Sequence, residues 1–256
     1  MYRSFIKFWV LFTLLYTSPL FGQEKVRDTT KKSEIYGLRL GVDLSRPLIS
    51  LFKDGYRGLE ITGDYRLSQR WYLAAELGNE SNTVEEVLDN AEGVNRITIY
   101  EMNPSGSYIK LGADFNTYQN WYGMNNSIIV GARYAFSTFS TTLDNYSIYD
   151  SNRYWNPDTF LTGSELLGEY SGLSASWLEL LIGVKTELFA NIYMGASVRL
   201  GILVTDSDAG TFSNVWIPGF NRKTDNSRFG VGFNYTISYL IPIYRKAREK
   251  PVEITE

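Results

Sequence analysis

Along 229–239, large apolar or aromatic residues hold every second position, with Gly230, Gly232, Asn234, Thr236 and Ser238 between them. Side chains of a strand alternate between its faces, so this segment predicts a strand with one apolar and one small, polar surface. The same two-faced pattern returns about eight times along the chain. At 35–45, Tyr36, Leu38, Leu40, Val42 and Leu44 oppose Gly37, Arg39, Gly41, Asp43 and Ser45. At 57–67, Leu59, Ile61, Gly63, Tyr65 and Leu67 oppose Glu60, Thr62, Asp64 and Arg66. Equivalent strands are predicted at 71–79, 107–117, 128–137, 177–188 and 192–202.

The connections alternate in length. A segment with Pro47 and Asp54–Gly55, and long loops at 80–106, 141–173 and 205–227, alternate with shorter turns near 68–70, 118–126 and 190–191. Residues 94–101 either lengthen a strand or, given a partner, raise the strand count from eight to ten.

Formal charges fall on one face only. The polar face collects Arg39, Asp43, Glu60, Asp64, Arg66, Glu76, Lys110, Asp114, Arg133, Glu179, Lys185, Glu187 and Arg199, with acids and bases nearly balanced. The opposite faces carry none. A charge at the lipid midplane costs about 2–4 kcal/mol, which gives its absence from eight consecutive faces a physical reason. The predicted fold is all-β: a closed, antiparallel, up-and-down transmembrane β-barrel, apolar outside, with its lumen filled by a structural network of those ion pairs. A soluble lipid-binding barrel has the same period but the opposite facing, and is the main alternative architecture.

Composition agrees with alternation in lipid. Hydrophobic residues make up 44% and mean hydropathy is −0.20, as expected when only every second residue meets lipid. The 19 Tyr suit girdles at the two membrane interfaces. The net charge of −3 gives no reason to expect a nucleic-acid partner. Cysteine is absent, which excludes disulfides, thiolate metal sites and anchoring through a lipidated N-terminal Cys. Histidine is absent too, removing serine-hydrolase triads and imidazole acid–base chemistry.

The ends divide the chain further. Residues 1–22 read as a signal for Sec-type export: Arg3 and Lys7, an apolar core over 5–16, then Ser18, Pro19 and Gly22. Residues 23–34 form a flexible periplasmic lead-in, 35–244 the barrel, and 245–256 a charged periplasmic tail. An even strand count leaves both termini in the periplasm.

Candidate chemistry is sparse. Asp206-Ser-Asp208-Ala-Gly210 resembles part of a calcium loop, but Ile217 stands where the closing acid belongs. Gly230-Val-Gly232 lacks the third glycine and the helix of a dinucleotide site. No catalytic residue, cofactor or metal is expected. The aromatics of 141–173, among them Tyr146, Tyr154, Trp155 and Tyr170, either pack that loop or meet an extracellular ligand.

Several stretches carry a resemblance: Ser107-Tyr-Ile-Lys-Leu-Gly112, Asn120-Trp-Tyr-Gly-Met-Asn-Asn126, Tyr134-Ala-Phe-Ser-Thr-Phe139, Trp177-Leu-Glu-Leu180, Ile217-Pro-Gly-Phe-Asn221 and 229–242. With these, the chain resembles a family of outer-membrane proteins from Bacteroidota, known as a domain of unknown function. The resemblance implies an outer-membrane barrel and supplies no activity, so no functional residues carry over. By analogy with other such barrels, the aromatic last strand is what the barrel-assembly machinery would recognise.

The expected role is structural or surface-recognising, through long extracellular loops, with outer-membrane lipids and an unidentified extracellular ligand as partners. The alternatives are a narrow channel or solute-binding porin, and an exported soluble lipid-binding barrel.

Overall fold

A computed structural model describes residues 33–89, 96–118, 126–149, 160–207, 210, 213–223 and 227–247. The expected signal at 1–22 lies outside the described residues, as does nearly all of the lead-in. In chain order the elements are β1 (Ser33–Asp43), a helix α1 (Ser45–Phe52), β2 (Tyr56–Arg66), β3 (Trp71–Asn82), β4 (Val84–Asp89), β5 (Arg96–Asn116) and β6 (Ser127–Tyr149). They continue with β7 (Phe160–Thr162), a 3-10 turn (Ser164–Leu166), β8 (Gly168–Phe189), β9 (Ile192–Asp206), β10 (Trp216–Ile217), β11 (Asn221–Arg222) and β12 (Phe229–Ala247).

The fold is all-β, dominated by one large antiparallel sheet. Its hydrogen bonds close a ring through eight strands, β1, β2, β3, β5, β6, β8, β9 and β12, with β12 returning to β1. β4 and β7 lie outside that ring, paired to the far ends of β5 and β6. The ring closes with a stagger. Stepping between paired residues from Arg39 leads through Asp64, Ala74, Gly112, Arg133, Glu179 and Gly201 to Gly230. Arg39 itself pairs with Leu240, ten residues further along β12. A ten-residue offset over eight strands, at about 3.4 Å per residue and 4.8 Å per strand, tilts the strands by roughly 40°.

The facing of the side chains follows the period of two. Leu40, Ile61, Leu111, Ile182 and Val231 are exposed on the outside, while Arg39, Glu60, Lys110 and Arg199 are buried inside. One end of the ring is closed by tight turns. Ser68 Oγ accepts from Trp71 N–H at 3.0 Å, and Asn191 supplies the positive φ (69°) of the turn between β8 and β9. The long connections gather at the other end.

Several expectations needed correction. The predicted loop at 80–106 is largely strand: β3 runs on to Asn82, and β4 pairs with the start of β5. In the 141–173 loop, β6 continues to Tyr149, β7 pairs with it, and β8 begins at Gly168. Their buried side is short and mixed, with Glu80, Asn82, Met102, Thr141 and Leu143, and many of their other residues are polar, so no long apolar alternation marks them in the sequence. The segment with Pro47 is not a simple connection but contains α1. The tail expected from 245 is strand as far as Ala247, with Arg245 paired to Ile35 and Lys246 to Glu34. Tyr36, expected outside, is buried inside. A bulge between Tyr36 and Gly37 resets the alternation, and Tyr36 stacks on Tyr244 with ring centroids 5.2 Å apart.

Candidate functional site

Three layers of charge fill the ring. In the middle layer, Glu76 of β3 receives two hydrogen bonds from Arg199 of β9, at 2.5 and 3.1 Å. β3 and β9 lie on opposite sides of the ring, so this fork spans its width. Arg133 reaches Glu76 at 3.4 Å and Asp114 at 2.7 Å. Glu179 takes Lys110 at 3.2 Å and Arg199 at 3.1 Å. All six side chains are buried, and each meets an opposite charge within hydrogen-bonding distance.

Towards the tight-turn end, Asp64 holds Arg39 at 2.7 Å with one oxygen and Lys185 at 2.7 Å with the other. The Arg39 guanidinium also lies between the rings of Tyr72 and Tyr193, 4.9 and 5.1 Å from their centroids. Arg66 closes this end: it meets Glu34 at 2.5 Å, donates to Ile35 O and Ser68 O, and lies 4.5 Å from the Tyr36 ring. Glu187 sits beside the last tight turn, where it accepts from Asn191 N–H at 3.5 Å.

The third layer lies under the long connections. Asp43, Glu60 and Glu80 surround Arg46, which pairs with Glu80 at 2.8 Å, Asp43 at 3.5 Å and Glu60 at 3.7 Å. Asn234 donates to Asp43 at 2.7 Å and to Glu60 at 2.8 Å, tying β12 to β1 and β2. The Tyr108 hydroxyl lies 2.6 Å from Glu60 and 3.1 Å from Glu80. At the rim, partial burial lowers the pKa of the Lys53 ammonium, which donates to Asn82 at 2.7 Å and faces the Trp216 ring.

Arg46 and Glu80 were missed by sequence reasoning. Glu80 continues the inward parity of Glu76 and Gly78 one residue past the predicted end of its strand, so a longer strand would have found it. Arg46 comes from α1, and no period-two signal points to it.

Above this layer the connection between β9 and β12 folds back into the mouth of the ring. Ile217, Pro218, Gly219 and Phe220 are buried there. Phe220 lies against Gly201 and Gly230, which are paired across β9 and β12, and meets Trp177 edge-on at 5.6 Å. A side chain at either glycine would collide with the ring. Gly219 adopts φ +84°, donates its N–H to Glu80 at 3.2 Å, and leaves room for Tyr108. Trp177, Leu203, Phe139, Leu173 and Tyr108 complete an apolar cap over the charged interior.

A cavity of about 40 Å³ lies below the cap among Arg39, Asp64, Asp114, Arg133, Lys185 and Arg199. Room for a few waters at most separates these groups. The arrangement holds its own charges in pairs and ties opposite walls together.

A family model described as a domain of unknown function (DUF6048) matches residues 1–246. The chain belongs to that family. No curated protein and no solved structure matches it. Within this DUF6048 chain, Ile217–Asn221, part of the sequence resemblance, turns out to be the segment that caps the ring.

Proposed function

We propose that this DUF6048 chain is a small outer-membrane β-barrel of Bacteroidota type, exported through the signal at 1–22, with a structural or surface-recognition role and no catalysis. The observation that carries the reading is the outer surface of the ring. Its outward positions are apolar, Thr186 apart, over runs that average about ten residues, shorter on β3 and β5 and longer on β12. That is roughly 25 Å along the axis at the tilt above, which matches the apolar band of a membrane barrel. Past that belt the outward residues turn polar, at Arg57, Asn79, Ser107 and Thr138. A soluble lipid carrier would need the reverse facing, with the apolar set around an internal ligand.

The paired interior and the cap favour structure and recognition over passage of solutes. Recognition would rest on the sheet that rises past the belt, formed by β4, β7 and the outer parts of β5, β6 and β8. β6 is 23 residues long, whereas about 9–11 suffice to cross a bilayer. Tyr100 and Tyr146 are paired across that sheet. Leu143 pairs with Gly168, so replacing 144–167 with a short turn removes the outer hairpin and leaves the ring. Cells displaying this truncated form should keep the folded barrel, seen as a gel mobility that changes on boiling. They should also lose adhesion to those immobilised glycans or matrix proteins that the intact form binds. Unchanged adhesion would remove the recognition role.

A further inference from the structure

One stretch of the wall is not strand. β1 pairs with β12 only as far as Asp43–Thr236, and with β2 only as far as Val42–Ile61. Beyond these points 229–235 of β12 and 56–60 of β2 continue without β1 between them. The strand stops for a local reason. The Asp43 carboxylate accepts Tyr235 N–H at 3.1 Å, a donor that would otherwise join the β1 ladder, together with Ser45 N–H and its hydroxyl. Pro47, lacking an N–H, then suits the first turn of a helix better than a strand.

α1 stands in the opening. Two strand spacings leave roughly 10 Å between β12 and β2, about the width of a helix with its side chains. Leu44 N–H donates to Tyr235 O at 2.6 Å on one side, and Gly58 N–H donates to Ser50 Oγ at 3.2 Å on the other. Arg46 points inward to its three acids. Leu48, Leu51 and Phe52 are exposed, the last two by 64% and 66%, as are Leu59 and Val231 on the two strands that flank α1.

We propose that α1 is a lateral seal in the lipid-facing wall, with its Leu48, Leu51 and Phe52 face covered by acyl chains of the bilayer. The occupant follows from continuity. This apolar face carries on the belt at the level of its flanking strands, where a helix with water outside it would leave three large hydrophobic side chains uncovered. Moving α1 would open the interior to the membrane sideways, at the Arg46 cluster and below the cap. This inference rests on the membrane reading above, and the test separates the two.

The chain has no cysteine, so single-cysteine variants label at one site. Leu51→Cys, Phe52→Cys and the belt controls Leu59→Cys and Val231→Cys would carry an environment-sensitive fluorophore. The folded chain is placed in phosphatidylcholine vesicles with brominated acyl chains. Leu51 and Phe52 labels should lose fluorescence as the controls do, and resist aqueous iodide. If the controls are quenched by bromolipid but 51 and 52 respond to iodide, water covers α1 and the seal is wrong. If 51 and 52 respond to neither quencher, another part of the chain or a second copy of it covers them, and the seal is again wrong. If the controls themselves escape bromolipid, the membrane reading fails, and the seal with it.

Discussion

Lys185 of β8 and Asp64 of β2 meet at 2.7 Å although their strands lie on opposite sides of the ring. The same carboxylate also holds Arg39 from the neighbouring strand. One acid therefore fixes two cations and both walls, and neutralising it leaves two charges poorly compensated inside.

Asp64→Asn should destabilise the fold by about 3–5 kcal/mol, the usual result of removing one partner from a buried pair. Urea unfolding in detergent micelles, followed by tryptophan fluorescence, measures it. Adding Lys185→Met to Asp64→Asn should restore part of the loss. A single variant as stable as the parent would show that the pairing is incidental.

Phe220→Ala should empty the glycine seat formed by Gly201 and Gly230 and cost on the order of 3–5 kcal/mol, as for other buried aromatics. Gly230→Val should push Phe220 out from the opposite side. In both variants limited proteolysis should cut first within 207–228 while the ring resists. Cleavage rates equal to the parent's would contradict the cap.

Leu111→Arg puts a charge in the middle of the belt and should cost about 2–4 kcal/mol of insertion into vesicles. Leu88→Arg, on β4 beyond the ring, should have little effect. The fraction of chain reaching the boiling-sensitive gel form after refolding compares the two directly.

Purified, folded chain should give no conductance steps in planar bilayers, because ion pairs and the cap occupy its width. Regular steps from the unaltered chain would favour the narrow-channel alternative.

The ring was legible because a period of two is a local signal: Leu59, Ile61 and Glu60 reveal their faces without knowledge of their neighbours. The partners of each charge were not. Glu76 finds Arg199 across the ring through a ten-residue stagger that a single strand does not encode. The outer sheet was hidden for another reason. Residues such as Thr98 and Glu85, joined by a side-chain hydrogen bond across β4 and β5, are strand-forming by pairing, and neither is buried. The cap and α1 depend on close approach, Phe220 on two glycines and Arg46 on three acids. Neither contact has a sequence period.

The most direct measurement is a spin-label scan along 192–204 of β9, one cysteine at a time, in reconstituted vesicles. Outward sites such as Met194, Val198 and Leu200 should collide with oxygen dissolved in the bilayer and exclude a water-soluble nickel chelate. Tyr193, Ser197 and Arg199, between them, should be reached poorly by both. Nickel access at the outward sites equal to that of a water-exposed control would contradict a lipid-facing belt.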